Sequence, residues 1–245
     1  MRARTLRWDG CCNVRDLGGH ATEDGRSTRF GAVVRSDNVR LLSDEGWRQL
    51  VEYGVTRILD LRFPAELAND PPSEIPIEVV HVPLLEDPIS VDIDRSLRDL
   101  KEPRAWRRAV YLAFLDRFAG NFAGAVTAVA RAPAGAVLVH CQGGVDRTGL
   151  VAALLLRVAG VGIDTIADDY AASEANWAPF RAEWISEAKD DDERERRRLL
   201  SIMPAEAMRD VLLELEGQHA STPAYLADAG VDNRDLERIR QRLLA

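Results

Sequence analysis

The residues with the clearest chemistry lie in one short segment, in which a cysteine and an arginine flank a glycine-containing loop. The segment is Val-Leu-Val-His140-Cys141-Gln-Gly-Gly-Val-Asp-Arg147-Thr-Gly. Its apolar start predicts a strand, and five loop residues then separate Cys141 from Arg147. Successive backbone N–H groups of such a loop can converge on one anion. Because glycine permits the positive φ angles and close approach that this curl requires, the spacing indicates a phosphate-binding site.

Side chains of the loop add reactivity to that binding. Arg147 can hold two phosphate oxygens with its planar guanidinium, which a lysine cannot do. Cys141 lies at the focus of the amide dipoles, and this environment favours the thiolate and makes it a nucleophile at neutral pH. Thr148 can donate its hydroxyl to the sulfur and help it leave when a thiophosphate is hydrolysed. The predicted phosphate-binding residues are Gln142, Gly143, Gly144, Val145, Asp146 and Arg147.

Each part of the segment has a simpler interpretation when taken alone. A lone cysteine after a strand is usually a small buried apolar residue, and Gly-Gly before a helix is usually a tight turn. The coincidence of all the parts disfavours that interpretation. A Walker-type nucleotide loop is excluded because Gly-Lys-Ser/Thr occurs nowhere in the sequence. Cys141 has no partner at C-x-x-C spacing and Cys11-Cys12 are adjacent, so we expect no metal and no other cofactor.

The loop resembles the signature of the cysteine-dependent protein tyrosine phosphatases, and especially that of the bacterial tyrosine/serine phosphatases with H-C-x-x-G-K-D-R-T-G. Further segments are similar to motifs of the same family: 13–19 to N-x-R-D-L-G-G, 35–37 to R-S-[DS], 59–66 to D-L-R-x-x-x-E, and Asp169-Tyr170 and Tyr225-Leu226 to familiar positions. The resemblance spans nearly the whole chain, from Cys12 to Leu244. It departs at Val145, where the family usually has lysine.

This resemblance implies one phosphatase domain over residues 1–245, with an α/β fold in which helices flank a central, mostly parallel sheet and a helical C-terminal region is added. The implied activity is metal-independent hydrolysis of phosphomonoesters through a phosphocysteine intermediate, with phosphotyrosine in proteins or peptides as the expected substrate and dual specificity included. Phosphoinositides stay open as alternative substrates because Asp-Arg-Thr loops recur in their phosphatases. Valine in place of lysine removes a positive charge from the expected pocket mouth, which favours phosphopeptides.

The intact loop residues also bear on whether the protein is an enzyme. A weakly active phosphate-binding module is the alternative to an enzyme, but it would tolerate the loss of Cys141, Arg147 and Thr148, which are all intact. The oligomeric state stays open.

One carboxyl group is expected to protonate the leaving oxygen and later to deprotonate a water molecule. We prefer Asp146, because phosphatases of the myotubularin type carry a comparable aspartate in a similar loop. Asp60 ends a predicted strand whose C-terminal edge borders the same crevice. Asp87 lies in the kind of loop that supplies the acid in dual-specificity phosphatases.

Other polar and aromatic residues near the motifs have structural interpretations. The ring of His140 is expected to bond backbone carbonyls and hold the shape of the loop. Arg15 and Asp16 are expected to form either a buried pair or a substrate contact. Trp177 and the aromatic residues that follow it on one helix face are expected to make core or lid contacts.

Hydrophobic patterning predicts the elements that position this loop. Short runs rich in β-branched residues predict strands at Gly31–Arg35, Val55–Leu61, Glu78–Leu84 and Ala136–His140. Helical periodicity and capping signals predict helices between Ser43 and Gly54 and at Trp106–Phe118, Phe122–Ala130, Thr148–Ala159 and Pro204–Glu216. Two segments, 63–76 and 86–102, are predicted to be irregular. The charged segment 187–198 is predicted to be a solvated helix face, or else a cover over the site, within a helical lid or extension at about 177–217.

Composition excludes some classes of protein. The 245 residues are 46% apolar and include 40 acidic and 32 basic side chains, for a formal charge of −8. Nucleic-acid binding is disfavoured because it needs positively charged faces. Three cysteines cannot build a disulfide framework, which favours a reducing compartment. Without a signal-like start or an apolar run of about 20 residues, we expect a cytoplasmic protein with no stable membrane insertion, and export by another route stays open.

Overall fold

The computed structural model describes residues 3–71 and 75–244. One sheet is formed by five strands: β1 (Arg15–Asp16), β2 (Val33–Ser36), β3 (Val55–Asp60), β4 (Glu78–His81) and β5 (Ala136–His140). The helices of these residues are α1 (Asp44–Glu52), α2 (Pro64–Asn69), α3 (Asp87–Ser96), α4 (Pro103–Arg117), α5 (Ala119–Ala130), α6 (Asp146–Val158), α7 (Ile163–Ser186), α8 (Asp191–Leu200), α9 (Ala205–His219), α10 (Thr222–Asp228) and α11 (Asn233–Leu243). None of them combines the length and hydropathy needed to cross a membrane.

The sheet has the strand order β1-β2-β5-β3-β4, and only β1 runs antiparallel to its neighbour. The register places the last residues of the four parallel strands in one row. His140 pairs with Ser36 on one side and with Asp60 on the other, and Asp60 pairs with His81. Because ligands of open α/β sheets bind outside the carboxyl ends of the strands, this row marks the edge where the site is expected. The predicted α/β class with a mostly parallel sheet is confirmed.

Both faces of the sheet are covered, since successive side chains of a strand point to opposite sides. Val137 and Val139 of β5 belong to the larger core, which also contains residues of α4, α5, α6, α7 and α9. Leu138, between them, belongs to a smaller core with Trp8 and Leu50. With its strand residues all buried, β5 is the central strand and gives a rigid base to the loop that follows it.

Predicted strand positions agree with the structure except at one end of β4 and for β1. The strand predicted at Glu78–Leu84 stops at His81, ahead of Pro83, which has no N–H to donate to the ladder. The two-residue strand β1 is too short to leave a periodic signal and was not predicted.

Both segments predicted to be irregular contain a helix, so that prediction is wrong for them. In the segment 63–76, Pro64 occupies the first turn of α2, where its missing N–H is tolerated, and the Glu66 carboxylate accepts the Phe63 N–H at 2.7 Å. In the segment 86–102, α3 also has a proline in its first turn. Residues 72–74 of the first segment lie outside the described residues. Proline in these segments did not indicate irregular structure, because a proline in the first turn favours a helix.

Candidate active site

The loop between β5 and α6 is held from outside through its carbonyl groups. The carbonyls of Gln142, Gly143 and Gly144 all accept hydrogen bonds, at 2.8–3.3 Å, from groups that lie beyond the loop. The donors are the Asn38 main-chain N–H, the Asn13 side-chain amide, the Trp177 indole N–H and the Arg35 guanidinium. These four donors come from three separate regions of the chain, so the tertiary structure fixes the curvature of the loop.

The backbone N–H groups of the loop are left available by the same arrangement. In a trans peptide unit the C=O and the following N–H point in opposite directions, so outward carbonyls turn the N–H groups of residues 143–145 inward. Across the described part of the chain, no acceptor receives the N–H groups of residues 142–147. The last two of these residues open α6, whose N-terminus adds a favourable dipole for an anion. The loop is therefore a ring of N–H donors, a chemistry that suits phosphate.

Gly144 is required by the backbone geometry at the tightest point of the loop. Its φ is +65°, and a Cβ at this position would lie 2.6 Å from both the Ser36 carbonyl oxygen and the Asp37 nitrogen. A Cβ on Gly143 would meet nothing closer than the Trp177 ring at 3.7 Å. The two glycines thus have different roles, and only Gly144 is fixed by contact with neighbouring backbone.

Cys141 follows β5 directly and is buried. Arg147, six residues later, is oriented by a fork to the Glu66 carboxylate of α2, in which Nη2 and Oε1 are 2.9 Å apart and Nη1 bonds Oε2. Its guanidinium also lies 4.5 Å from the centre of the Phe63 ring. Burial opposes the charge, but the bonds to Glu66 and the nearby Cys141 sulfur hold the pKa of Arg147 above its usual value. Five N–H groups are present in a guanidinium, so the fork leaves others for a ligand.

Asp60 lies at the end of β3 in a closed ion pair. Its side chain is 1% exposed, and Arg62 grips it with Nε at 3.0 Å from Oδ1 and Nη2 at 2.8 Å from Oδ2. Burial opposes ionisation, but the hydrogen bonds and the charge of Arg62 outweigh it, and the pKa of Asp60 is lowered. At neutral pH this carboxyl group is therefore ionised and fully occupied.

Asp146 is in a different environment, at the first position of α6. Its side chain is 41% exposed, and Oδ1 accepts hydrogen bonds from Arg107 Nη1 at 2.6 Å and from the Tyr111 hydroxyl. Its other oxygen, Oδ2, receives no hydrogen bond from the residues that the structure describes. Asp87, the third candidate, begins α3, and its side chain lies outside the described residues.

Thr148 and His140 complete the immediate surroundings of the cysteine. The Thr148 hydroxyl is buried and has no hydrogen-bond partner within the described residues, the Cys141 thiol included. A buried hydroxyl without a partner costs about 1–3 kcal/mol, so this group is poised for a partner that enters the site. The His140 ring bonds the Cys141 carbonyl through Nδ1 at 3.2 Å, and burial lowers the pKa of His140 despite the nearby Asp60. The imidazole is thus neutral and holds the backbone at the start of the loop.

An ion network behind the loop was not predicted in this form. Asp169 of α7 accepts from Arg15 Nε at 3.0 Å and from Arg35 Nη1 at 2.8 Å, and all three side chains are buried. Of the two roles expected for Arg15 and Asp16, the buried pair is wrong, because Asp16 instead accepts the N–H groups of two neighbouring loops and the Tyr53 hydroxyl. Adjacency in sequence suggested that pair, but neighbouring residues of a strand point to opposite faces.

Val145 also departs from expectation. Its side chain is 6% exposed and belongs to the larger core, so it does not lie at the mouth of the pocket.

Comparison with known sequences supports the chemistry of the loop. The sequence model of the tyrosine phosphatase family matches residues 6–245. The chain belongs to the tyrosine phosphatase family. A protein of Cupriavidus necator named as a tyrosine-protein phosphatase is 31% identical over 238 residues, which covers 93% of this chain and 81% of that protein. The expected family membership, and with it the protein tyrosine phosphatase class of enzyme, is confirmed.

Two further relatives extend the similarity. A tyrosine-protein phosphatase of Nostoc commune is 26% identical over 229 residues, covering 86% of this phosphatase and 74% of that protein. The triple specificity protein phosphatase PtpB of Mycobacterium tuberculosis is 28% identical over 275 residues, covering 96% and 97% of the two chains.

Replacement of Gly144 by alanine tests whether the curvature of the loop matters to this phosphatase. The positive φ and the contacts at 2.6 Å would force the loop open, displacing inward N–H groups that are each worth about 100-fold in comparable anion holes. We expect Gly144→Ala to lower kcat/KM for p-nitrophenyl phosphate by about 100-fold or more. Gly143→Ala, the matched control, keeps its N–H and has space for Cβ, so its loss is expected to stay below about threefold. Equal losses in the two variants would contradict this account.

Proposed function

We propose that this phosphatase hydrolyses phosphotyrosine in proteins at the loop 141–148, through a phosphocysteine intermediate. The observation that carries the proposal is the loop geometry: outward carbonyls, inward N–H groups and a buried cysteine at the centre. Such a ring of donors fits the oxygens of a phosphoryl group. Arg147, already aligned by Glu66, supplies the charge that holds two of those oxygens.

In the first step the Cys141 thiolate attacks phosphorus, the bond from phosphorus to the tyrosyl oxygen breaks, and that oxygen takes a proton from Asp146. In the second step a water molecule attacks the phosphocysteine while Asp146 accepts one of its protons. The sulfur–phosphorus bond then breaks, which releases phosphate and restores the thiolate. We assign to the Thr148 hydroxyl, which is buried and has no partner among the described residues, a hydrogen bond to the departing sulfur.

Two features favour Asp146 over Asp60 as the proton donor. Asp60 is buried, ionised and fully occupied by Arg62, so it has no proton to give and no opening to the cleft. Asp146 lines the same cleft as Arg147 and has one carboxylate oxygen without a hydrogen bond. We therefore assign the transferred proton to Oδ2 of Asp146. Asp60, expected to be catalytic, becomes a positioning residue that holds Arg62 beside the loop.

The shape of the cleft favours an aryl phosphate as substrate. Beside Arg147 and Asp146 lies a cavity of about 340 Å³ whose apolar walls are Phe63, Leu85, Trp106, Val110 and Phe114. A tyrosyl ring can pack against such walls. We therefore retain phosphorylated proteins or peptides as the substrate class.

We propose that residues 1–245 act as one phosphatase domain, in which the helical segment 177–217 covers one side of the cleft. The support is a set of contacts from that segment. Trp177 donates to the Gly143 carbonyl at 2.9 Å, and Arg196 of α8 lies over the Trp106 ring at 4.6 Å. Arg196 also lines the cleft itself. The charged face of α8 thus contributes to the site in addition to being solvated.

Replacement of the proposed nucleophile tests the covalent mechanism. Cys141→Ser is expected to lower turnover of a phosphotyrosine peptide by on the order of 10⁴-fold or more, since an alcohol is not ionised at neutral pH. Peptide binding, measured by calorimetry, should persist because the loop amides and Arg147 are unchanged. Cys11→Ser is the matched control, because that thiol lies outside the loop 141–148 and donates to the Asn38 carbonyl, and it should keep full turnover. Activity of Cys141→Ser within about tenfold of the natural enzyme would contradict the mechanism.

The assignment of the proton donor is tested with two leaving groups. Phenyl phosphate needs its leaving oxygen protonated, whereas p-nitrophenolate leaves with little help. Asp146→Asn is expected to lower kcat/KM for phenyl phosphate by about 100-fold and that for p-nitrophenyl phosphate by less than about tenfold. Asp60→Asn should affect both substrates equally and lower the melting temperature, because it leaves the buried Arg62 with a weaker partner. A selective loss in Asp60→Asn instead would transfer the assignment to Asp60.

A further inference from the structure

A polar network surrounds the proposed proton donor, and its members Tyr111 and Leu200 line the same cleft as Asp146. Its centre is Arg107 of α4, whose side chain is fully buried and makes four hydrogen bonds. Nη1 donates to the Tyr111 hydroxyl at 2.8 Å and to Asp146 Oδ1 at 2.6 Å. Nη2 donates to the Leu200 carbonyl at 2.6 Å and Nε to the Ile202 carbonyl at 2.8 Å. One side chain therefore joins α4, the start of α6 and the turn after α8.

Tyr111, one helical turn after Arg107 and on the same face of α4, orders the protons of this network. A tyrosine hydroxyl has one proton, and that of Tyr111 is donated to Asp146. The 2.8 Å contact between Tyr111 and Tyr170 must therefore be donated by Tyr170 of α7. Burial raises the pKa of Tyr111 well above its usual value and that of Tyr170 to about 12, so both hydroxyls keep their protons at neutral pH. Tyr170 of α7 thus donates a hydrogen bond to Tyr111 of α4, and Tyr111 donates one to Asp146.

Both bonds to Asp146 end on the same carboxylate oxygen. Arg107 and Tyr111 occupy Oδ1, and Oδ2 is left toward the cleft that Arg147 also lines. Asp146 is the one carboxylate paired with Arg107 among the described residues. A fully buried guanidinium without a counter-charge strongly destabilises a fold. Arg107 therefore stays paired with Asp146. This arrangement fixes which oxygen of Asp146 can exchange a proton with the substrate.

We propose that Arg107 and Tyr111 are positioning residues that hold Oδ1 of Asp146 and so present Oδ2 to the leaving group. The proposal rests on the proposed function of Asp146 as proton donor. Through the carbonyls of Leu200 and Ile202, Arg107 also ties the proton donor to the turn that joins α8 to α9. The position of α8 beside the cleft and the position of the proton donor are thus coupled, because the Arg107 guanidinium bonds both.

Tyr111→Phe and Arg107→Lys test the proposal. The first removes one donor with the ring retained, and the second keeps the charge without the fork that reaches three elements. Each is expected to lower kcat/KM for phenyl phosphate about tenfold, the size of one hydrogen bond to a charged group. The value for p-nitrophenyl phosphate should change less than about twofold, because that leaving group needs little protonation. Arg108→Lys is the matched control, because that side chain is 44% exposed and bonds Glu214 on the surface, and it should change neither substrate.

Asp146→Asn, measured alone and in combination with Tyr111→Phe, separates the proposed proton donor from the proposed positioning role. If Asp146→Asn lowers both substrates equally, the proposed proton donor is wrong and the present inference fails with it. If Asp146→Asn is selective for phenyl phosphate but Tyr111→Phe and Arg107→Lys are not, the proton donor stands and the positioning role is overturned. Support requires that Tyr111→Phe be selective alone and add no selective loss in the Asp146→Asn background. Should Arg107→Lys fail to fold, as shown by its thermal melt, the smaller Tyr111→Phe change decides the result.

Discussion

A buried ion network with more positive than negative charge lies directly behind the catalytic loop. Arg15 and Arg35 share the single carboxylate of Asp169, and Arg35 also donates to the Gly144 carbonyl at 2.8 Å. Burial and the neighbouring Arg15 lower the pKa of Arg35 to about 10, while Asp169 and the Cys141 sulfur oppose that shift. Uncompensated buried charge is costly, so an anion in the loop relieves it. The same network also sets the curvature of the loop, through the bond from Arg35 to Gly144.

The groups proposed to bind phosphate and the proposed proton donor are held in place by different parts of the structure. The phosphate-binding groups belong to the loop after β5, which is fixed from behind by Asn13, Arg35 and Trp177. The proposed proton donor is fixed from α4, through Arg107 and Tyr111. Arg35, Arg107 and Tyr111 among these supports are buried side chains on regular elements, which hold a constellation more tightly than surface loops can. Arg147, proposed to hold the phosphate, has a third support in Glu66 of α2.

Structural features with a local sequence signal were predicted correctly. The strand before Cys141, the glycines after it and the helix that Asp146 opens follow from neighbouring residues, and all three are present as predicted. The supporting contacts could not be deduced in this way, because they join residues far apart: Arg107 and Asp146 are 39 positions apart, Glu66 and Arg147 are 81, and Arg15 and Asp169 are 154. Family resemblance marked Glu66 and Asp169 without saying what they bind. For Asp60, the predicted strand end placed it correctly at the sheet edge, and the structure adds that Arg62, two residues away, occupies its carboxylate.

Direct detection of the phosphoenzyme tests the central claim that the loop presents Cys141 to the phosphorus. The natural enzyme would be mixed with a phosphotyrosine peptide, quenched in acid within the first turnover, digested and analysed by mass spectrometry. The account predicts one phosphoryl group on the peptide that contains Cys141, absent when the reaction has run to completion. A phosphoryl group on any other residue, or turnover at full rate with no modified peptide trapped at any time, would contradict it.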